Sequence, residues 1–119
     1  VSERSEADAS LLELLGDEHV RSVLSETSRK PMSASGLSEA CDVSLATVYR
    51  RLETLVERGL LSESVELDAD GNHRSVYEAD LERVDVRLVD GEFEVSVTRR
   101  EDAVDRFARM WNDMRKEDG

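Results

Sequence analysis

After Leu61 the spacing of apolar residues changes from about 3.6 to about 2, which is the change from helical to strand periodicity. Before that point the chain reads as a run of helices, and after it as two hairpins. A chain in this order must close its core by packing a helical layer against hairpins, an α+β arrangement. Its 119 residues suffice for one domain with a modest core.

The helical part divides at its caps and breakers. Residues 1–10, VSERSEADAS, are polar and are expected to form a flexible N-terminus. LLELLG, residues 11–16, predicts a short apolar helix, with Gly16 suited to the left-handed position that ends one. Asp17 caps a second helix whose inward stripe is Val20, Val23 and Leu24, and Pro31 prevents its continuation. Ser33 caps a third helix with Leu37, Ala40 and Cys41 facing inward. Asp42 follows at a turn, where aspartate tolerates the left-handed conformation better than most residues. Ser44 then caps a fourth helix, and Gly59 ends it.

Set at the helical step, Val48, Leu52, Leu55, Leu45 and Val56 of the fourth helix fall within a sector of roughly 100°. That sector is its predicted buried face. Thr47, Arg50 and Thr54 fall opposite, with Ala46, Glu57 and Arg58 flanking and Tyr49 and Arg51 on the borders. The outer face carries no acid before Glu53, although the chain holds 28 Asp and Glu against 16 Lys and Arg, a net charge of −12. Acid is concentrated elsewhere: residues 1–28 carry seven acids and two arginines, whereas in residues 41–61 three of each cancel. Arginine's planar fork suits guanine edges or phosphate oxygens, and hydroxyls with free helix-start N–H groups suit phosphates. Lysine occurs only at positions 30 and 116. Abundant acid with so little lysine fits a cytoplasm molar in salt, where the Debye length shrinks to about 3 Å and net charge keeps the protein dissolved.

The strand part is equally patterned. SESVELDADGNHRSVYEA, residues 62–79, predicts two short strands around the turn cluster at 68–73. In VDVRLVDGEFEVSVT, residues 84–98, the Asp90-Gly91 pair is a strong hairpin signal. A two-residue turn there pairs Leu88 with Phe93, Val86 with Val95 and Val84 with Val97 on one face, which is expected to be buried. It also sets Arg87 opposite Glu94 on the other face. The remaining segment, residues 100–119, predicts a helix with Val104, Phe107, Trp111 and Met114 at steps of three, four and three, joined by Met110. This narrow seam can pack on LLELLG, residues 11–16, of its own chain or against the same helix of a second subunit, and the second, a dimer, is the expectation. The Arg99-Arg100 pair is expected at the surface.

Across residues 11–80 the ordered set LGD, MSASGLSEACDVS, ATVYRRLETLVERGLL and the following hairpin resembles the winged helix-turn-helix of ArsR-like and related archaeal transcription regulators, in particular haloarchaeal ones. The resemblance implies a winged helix-turn-helix with an added C-terminal β-hairpin and a terminal dimerisation helix. It also implies a flexible stretch at 1–10, a DNA-binding domain at 11–80 and a dimerisation unit at 81–119. The implied function is a dimeric, sequence-specific double-stranded DNA-binding regulator, with the region 44–58 in the major groove and the wing near phosphates. Carried onto this chain, DNA contacts fall on Ser44, Thr47, Arg50 and Arg51, then on Tyr49, Thr54, His73 and Arg74. Two positions depart from the family pattern: Cys41 stands where leucine is usual, and Asp42 where glycine is usual. The paired cysteines of metal-sensing members are absent, so no metal sensing is carried over.

Other function classes find little support. No Ser/His/acid or Cys/His constellation and no glycine-rich phosphate loop occurs, so no enzymatic activity and no cofactor are expected. One cysteine and two histidines predict neither a disulfide nor a metal site. No apolar run approaches the ~20 residues of a membrane span, and the start lacks a signal-peptide pattern, so a cytoplasmic location is expected. The alternative from another class is a winged-helix protein-interaction module of the transcription machinery that does not read DNA sequence.

Overall fold

The computed structural model describes residues 3–100. Four helices, α1 (Glu3–Gly16), α2 (Glu18–Arg29), α3 (Ala34–Cys41) and α4 (Leu45–Glu57), precede four strands. These are β1 (Leu61–Leu67), β2 (His73–Ala79), β3 (Leu81–Val89) and β4 (Glu92–Arg99), paired as two antiparallel hairpins. The expected terminal helix and its residues Val104, Phe107, Met110, Trp111 and Met114 lie outside the described residues.

The helix boundaries follow their caps. The Asp17 carboxylate accepts from the N–H groups of His19 and Val20 at 2.8 and 3.3 Å, satisfying donors that the start of α2 leaves open. Ser33 accepts from the Gly36 N–H at the start of α3, and Ser44 from the Thr47 N–H at the start of α4. Asp42 adopts the left-handed conformation (φ 53°, ψ 50°) and so reverses the chain between α3 and α4 within three residues. The end of α4 is a Schellman motif: Gly59 N–H bonds to Val56 and Leu60 N–H to Leu55, with Gly59 at φ +73°. Its partner contact is apolar, since Leu55 and Leu60 are both buried.

Val20, Val23 and Leu24 of α2, Leu37 of α3, and Val48, Leu52 and Leu55 of α4 form one core with Leu60, Leu61, Tyr77 and Ala79 from the first hairpin. The first hairpin is the wing. Its register pairs Leu61 with Ala79 and Leu67 with His73, and a short bridge from Met32 to Tyr77 extends its sheet beyond β2. Helices two to four with this hairpin behind them constitute an α+β winged helix-turn-helix.

The second hairpin has the register read from its sequence: Leu88 opposite Phe93, Val86 opposite Val95, Val84 opposite Val97, and Arg87 opposite Glu94. Its turn residues Asp90 and Gly91 both have positive φ, 50° and 82°, the type I′ geometry that matches strand twist. Near its root, Arg99 donates through Nε to the Gly59 carbonyl at 2.9 Å, placing a cation on the C-terminal end of α4. Arg100 donates to the Ser28 carbonyl at 2.8 Å and to Glu78 at 3.4 Å. The arginine pair lies at the surface, as expected, and straps the second hairpin to the winged helix.

Several expectations are corrected. Helix α1 starts at Glu3, so residues 3–10 are helical and not a flexible tail; Arg58 of α4 donates to Ser10 at 2.9 Å and Asp8 accepts from the Val95 N–H at 3.2 Å. Gly16 is not left-handed, because α2 begins at once on the Asp17 cap. Ala40 is exposed: the inward stripe of α3 starts one turn earlier, at Ala34, and continues through Leu37. Leu45 is 42% exposed, since the first residue of α4 stands beyond the packed layer that the wheel assumed. The face of the second hairpin is buried only at Val95, and its distal half is open.

Candidate nucleic-acid interface

Helix α4 presents its outer face because its apolar stripe is held against α2 and α3 by Val48, Leu52 and Leu55. At its start the Ser44 hydroxyl is the cap and also donates to the Thr47 hydroxyl at 2.9 Å, which fixes both side chains at the exposed entrance of the helix. One turn on, Arg50 is exposed, and its guanidinium makes no ion pair or hydrogen bond among the described residues. Thr54 is exposed and donates back to the Arg50 carbonyl at 3.1 Å.

The other two arginines of this region are engaged within the fold. Arg51 pairs with Asp17 at 2.9 Å, tying α4 to the cap of α2. Its Nε is buried without a partner, so the side chain is held by packing as well as by charge. Arg51, one of the expected DNA contacts, is placed by its border position on the wheel beside Asp17. Burial pushes the Asp17 carboxyl up, but the His19 and Val20 N–H bonds and the Arg51 guanidinium outweigh this and hold it below its ordinary range. Arg58 reaches Ser10 and the Ala7 carbonyl of α1. Among the described residues of α4, Arg50 is thus the cation left for a ligand.

Tyr49, 53% exposed, divides two grooves of different chemistry. On one side Ser33, Ala34, Ser35, Tyr49, Arg74, Ser75 and Tyr77 line a space of about 340 Å³. It contains the N-terminus of α3, whose helix dipole and open N–H groups favour anions. Arg74 pairs with Glu66 at 3.6 Å with both side chains 52% exposed, a contact weak enough to be exchanged for another anion. Burial raises the Tyr77 phenol above its ordinary value, helped by Glu63 and Tyr49 and opposed by a Ser75 hydrogen bond, so it stays neutral at physiological pH. On the other side Leu52, Val56 and Tyr77 floor a groove of about 290 Å³ rimmed by Glu53, Glu57 and Glu63. A polyanion is favoured on the first side and repelled on the second.

Of the sequence-derived contacts, Ser44, Thr47, Arg50 and Thr54 lie along the outer face of α4, and Tyr49 and Arg74 meet across the first groove. His73 is exposed at the wing tip, opposite Leu67 and away from that groove. Ser35 and Ser75 were missed. Ser35 could have been found as an exposed hydroxyl at the predicted start of α3, but Ser75 carries no local signal, because only the wing's return brings it there.

Comparison with curated proteins gives no match. No helix among the described residues is long and apolar enough to cross a membrane. Residues 15–63, which run from the end of α1 through α2, α3 and α4 into β1, match the family model of a helix-turn-helix domain.

Proposed function

We propose that the chain is a sequence-specific double-stranded DNA-binding transcription regulator that enters the major groove with the first two turns of α4. One observation carries this reading: in a chain of net charge −12, the outer face of α4 is free of acid before Glu53 and presents an unengaged Arg50 between Thr47 and Thr54. Arg50 reads a base edge, Thr47 and Ser44 meet phosphate or the thymine methyl, and the groove at Ser33, Ser35 and Arg74 receives the neighbouring backbone. The protein acts as a homodimer on a two-fold site, binds and does not catalyse, and works in the cytoplasm of a salt-loving archaeon. In molar salt counterion release contributes little, so the overall negative charge is tolerated and direct contacts carry recognition.

The acidic groove at Glu53, Glu57 and Glu63 favours a second reading, a docking module for a basic protein partner. Mobility-shift and footprinting assays in high salt separate the two. The regulator protects a palindromic site, and Arg50→Ala weakens that binding by about 1–3 kcal/mol. Full protection by Arg50→Ala removes Arg50 from the interface, and no protected site at all leaves the docking module.

A further inference from the structure

Helix α4 carries two chemistries along its length. Its start presents Ser44, Thr47 and Arg50, whereas its last two turns present Glu53 and Glu57. With Glu63 of β1, these glutamates rim the groove floored by Leu52, Val56 and Tyr77. All three are exposed, and none makes an ion pair or hydrogen bond among the described residues. By contrast Asp17, Glu66, Glu78 and Asp85 are each paired with an arginine.

Arg50 and Glu57 are seven residues apart, so they share one side of the helix at about 10 Å along its axis. A major groove about 12 Å wide that received α4 lengthwise would take both and press Glu57 against its phosphate walls. A groove that receives the start of α4 takes Arg50 and leaves Glu57 outside. Tyr49 and Tyr77 line both grooves beside α4, so a phosphate strand running past Tyr49 along the wing meets the glutamates next. An ionised carboxylate has no proton to donate. A phosphate oxygen moved from water onto Glu53, Glu57 or Glu63 therefore gains no hydrogen bond in return. That mismatch persists when salt screens the charges.

We infer that Glu53, Glu57 and Glu63 set DNA specificity by exclusion: they bar placements that lay a phosphate backbone between α4 and β1. What remains is entry by the start of α4, the placement in which Arg50 reaches a base edge. Non-specific binding lives on phosphate contacts and samples many placements, so the bar falls on it and spares the specific complex. The inference rests on the proposed DNA-binding function and gives the acidic groove a role within it.

The test measures affinity of the full chain, across a salt series, for two duplexes. One is the site that the parent protein selects from a random pool, and the other is the same duplex scrambled. Glu53→Gln, Glu57→Gln and Glu63→Gln together remove the carboxylates and supply donors. This groove variant is expected to bind the scrambled duplex roughly 10-fold more tightly, with the selected site within about 3-fold of the parent. Two further triple variants are expected to keep the parent's ratio of affinities. Glu53→Asp, Glu57→Asp and Glu63→Asp retain the carboxylates. Glu13→Gln, Glu82→Gln and Glu92→Gln remove the same charge at exposed positions away from the groove. An unchanged ratio in the groove variant, or an equal fall in either of the other two, overturns the inference and leaves the regulator standing. A parent that selects no site overturns both.

Discussion

The wing and the second hairpin are both two-stranded antiparallel ribbons, yet they are held in different ways. The wing is rooted through side chains: Leu60 and Leu61 at its base and Val76, Tyr77 and Ala79 on β2 are buried, and the Met32 bridge adds backbone bonds at 2.8 and 2.9 Å. Its tip is acidic and polar around Asp68, Asp70 and Asn72. The second hairpin is rooted by Val95 in the core, by Leu81, Val84 and Val97 packed against it, and by two arginines, Arg99 on the end of α4 and Arg100 on the end of α2. Its tip is apolar. An isolated two-stranded ribbon is marginal in water, so each depends on what its root and faces meet. The wing has its base and most of β2 in the core, while the second hairpin reaches the core near its root and leaves its distal face open.

Six substitutions sharpen that contrast. The largest effect is expected at the buried root of the wing: Leu60→Ala should cost about 2–5 kcal/mol, read from denaturant midpoints. Leu88→Ala at the open tip of the other hairpin should change the stability of the monomer by less than about 0.5 kcal/mol. Equal losses at both sites would mean that the distal face of the second hairpin is as fully packed as the root of the wing.

Gly59→Ala comes next. A Cβ there lies 2.9 Å from the Arg99 guanidinium, and φ +73° disfavours any side chain. The left-handed conformation alone costs roughly 1–2 kcal/mol. Loss of the Arg99 strap should add to this and increase proteolysis of the second hairpin, whereas Gly71→Ala, with open space around it, should show the conformational cost alone.

Asp17→Ala removes a cap and the partner of Arg51, a loss of about 0.5–2 kcal/mol for the cap. The Asp17 carboxyl is lowered in the folded state, so its contribution is complete above the unfolded value near pH 4 and disappears as pH falls through the folded one. The difference between parent and Asp17→Ala in urea should therefore be constant at neutral pH and shrink in acid. A difference independent of pH would remove Asp17 as a charged partner of Arg51.

The smallest effect belongs to Arg74→Ala. Its exposed pair with Glu66 contributes at most about 1 kcal/mol, so folding should be nearly unchanged. DNA affinity should fall uniformly across sequences, with the salt slope reduced by about one, if the groove beside Tyr49 holds phosphate.

How much was legible in advance follows from the range of each signal. Asp17, Ser33 and Ser44 act on N–H groups two or three residues away, so the starts of α2, α3 and α4 were readable from single residues. The Asp90-Gly91 turn defined the pairs of the second hairpin from Val89–Glu92 to Arg83–Thr98 by counting outward from it, and a register shift beyond Arg83 then pairs Leu81 with Arg99. Arg51 shows where such reading stops. Its place on the wheel lies at the border of the outer face, and only the packing of α4 beside the start of α2 turns it toward Asp17. Arg99 and Arg100 are likewise two charges in a row until the fold brings carbonyls of Arg58, Gly59 and Ser28 to them.

Periodicity, capping and turn chemistry act over a few residues, so the order of the elements, the starts of α2, α3 and α4, the central register of the second hairpin and the outer face of α4 were encoded locally. Only the tertiary structure decided which arginines remain unengaged, which grooves flank Tyr49 and how far each ribbon is covered. Those outcomes depend on contacts between residues as distant as Arg58 and Ser10 or Arg100 and Ser28. Such contacts are set by how the helical layer packs on the hairpins, and no local pattern encodes them.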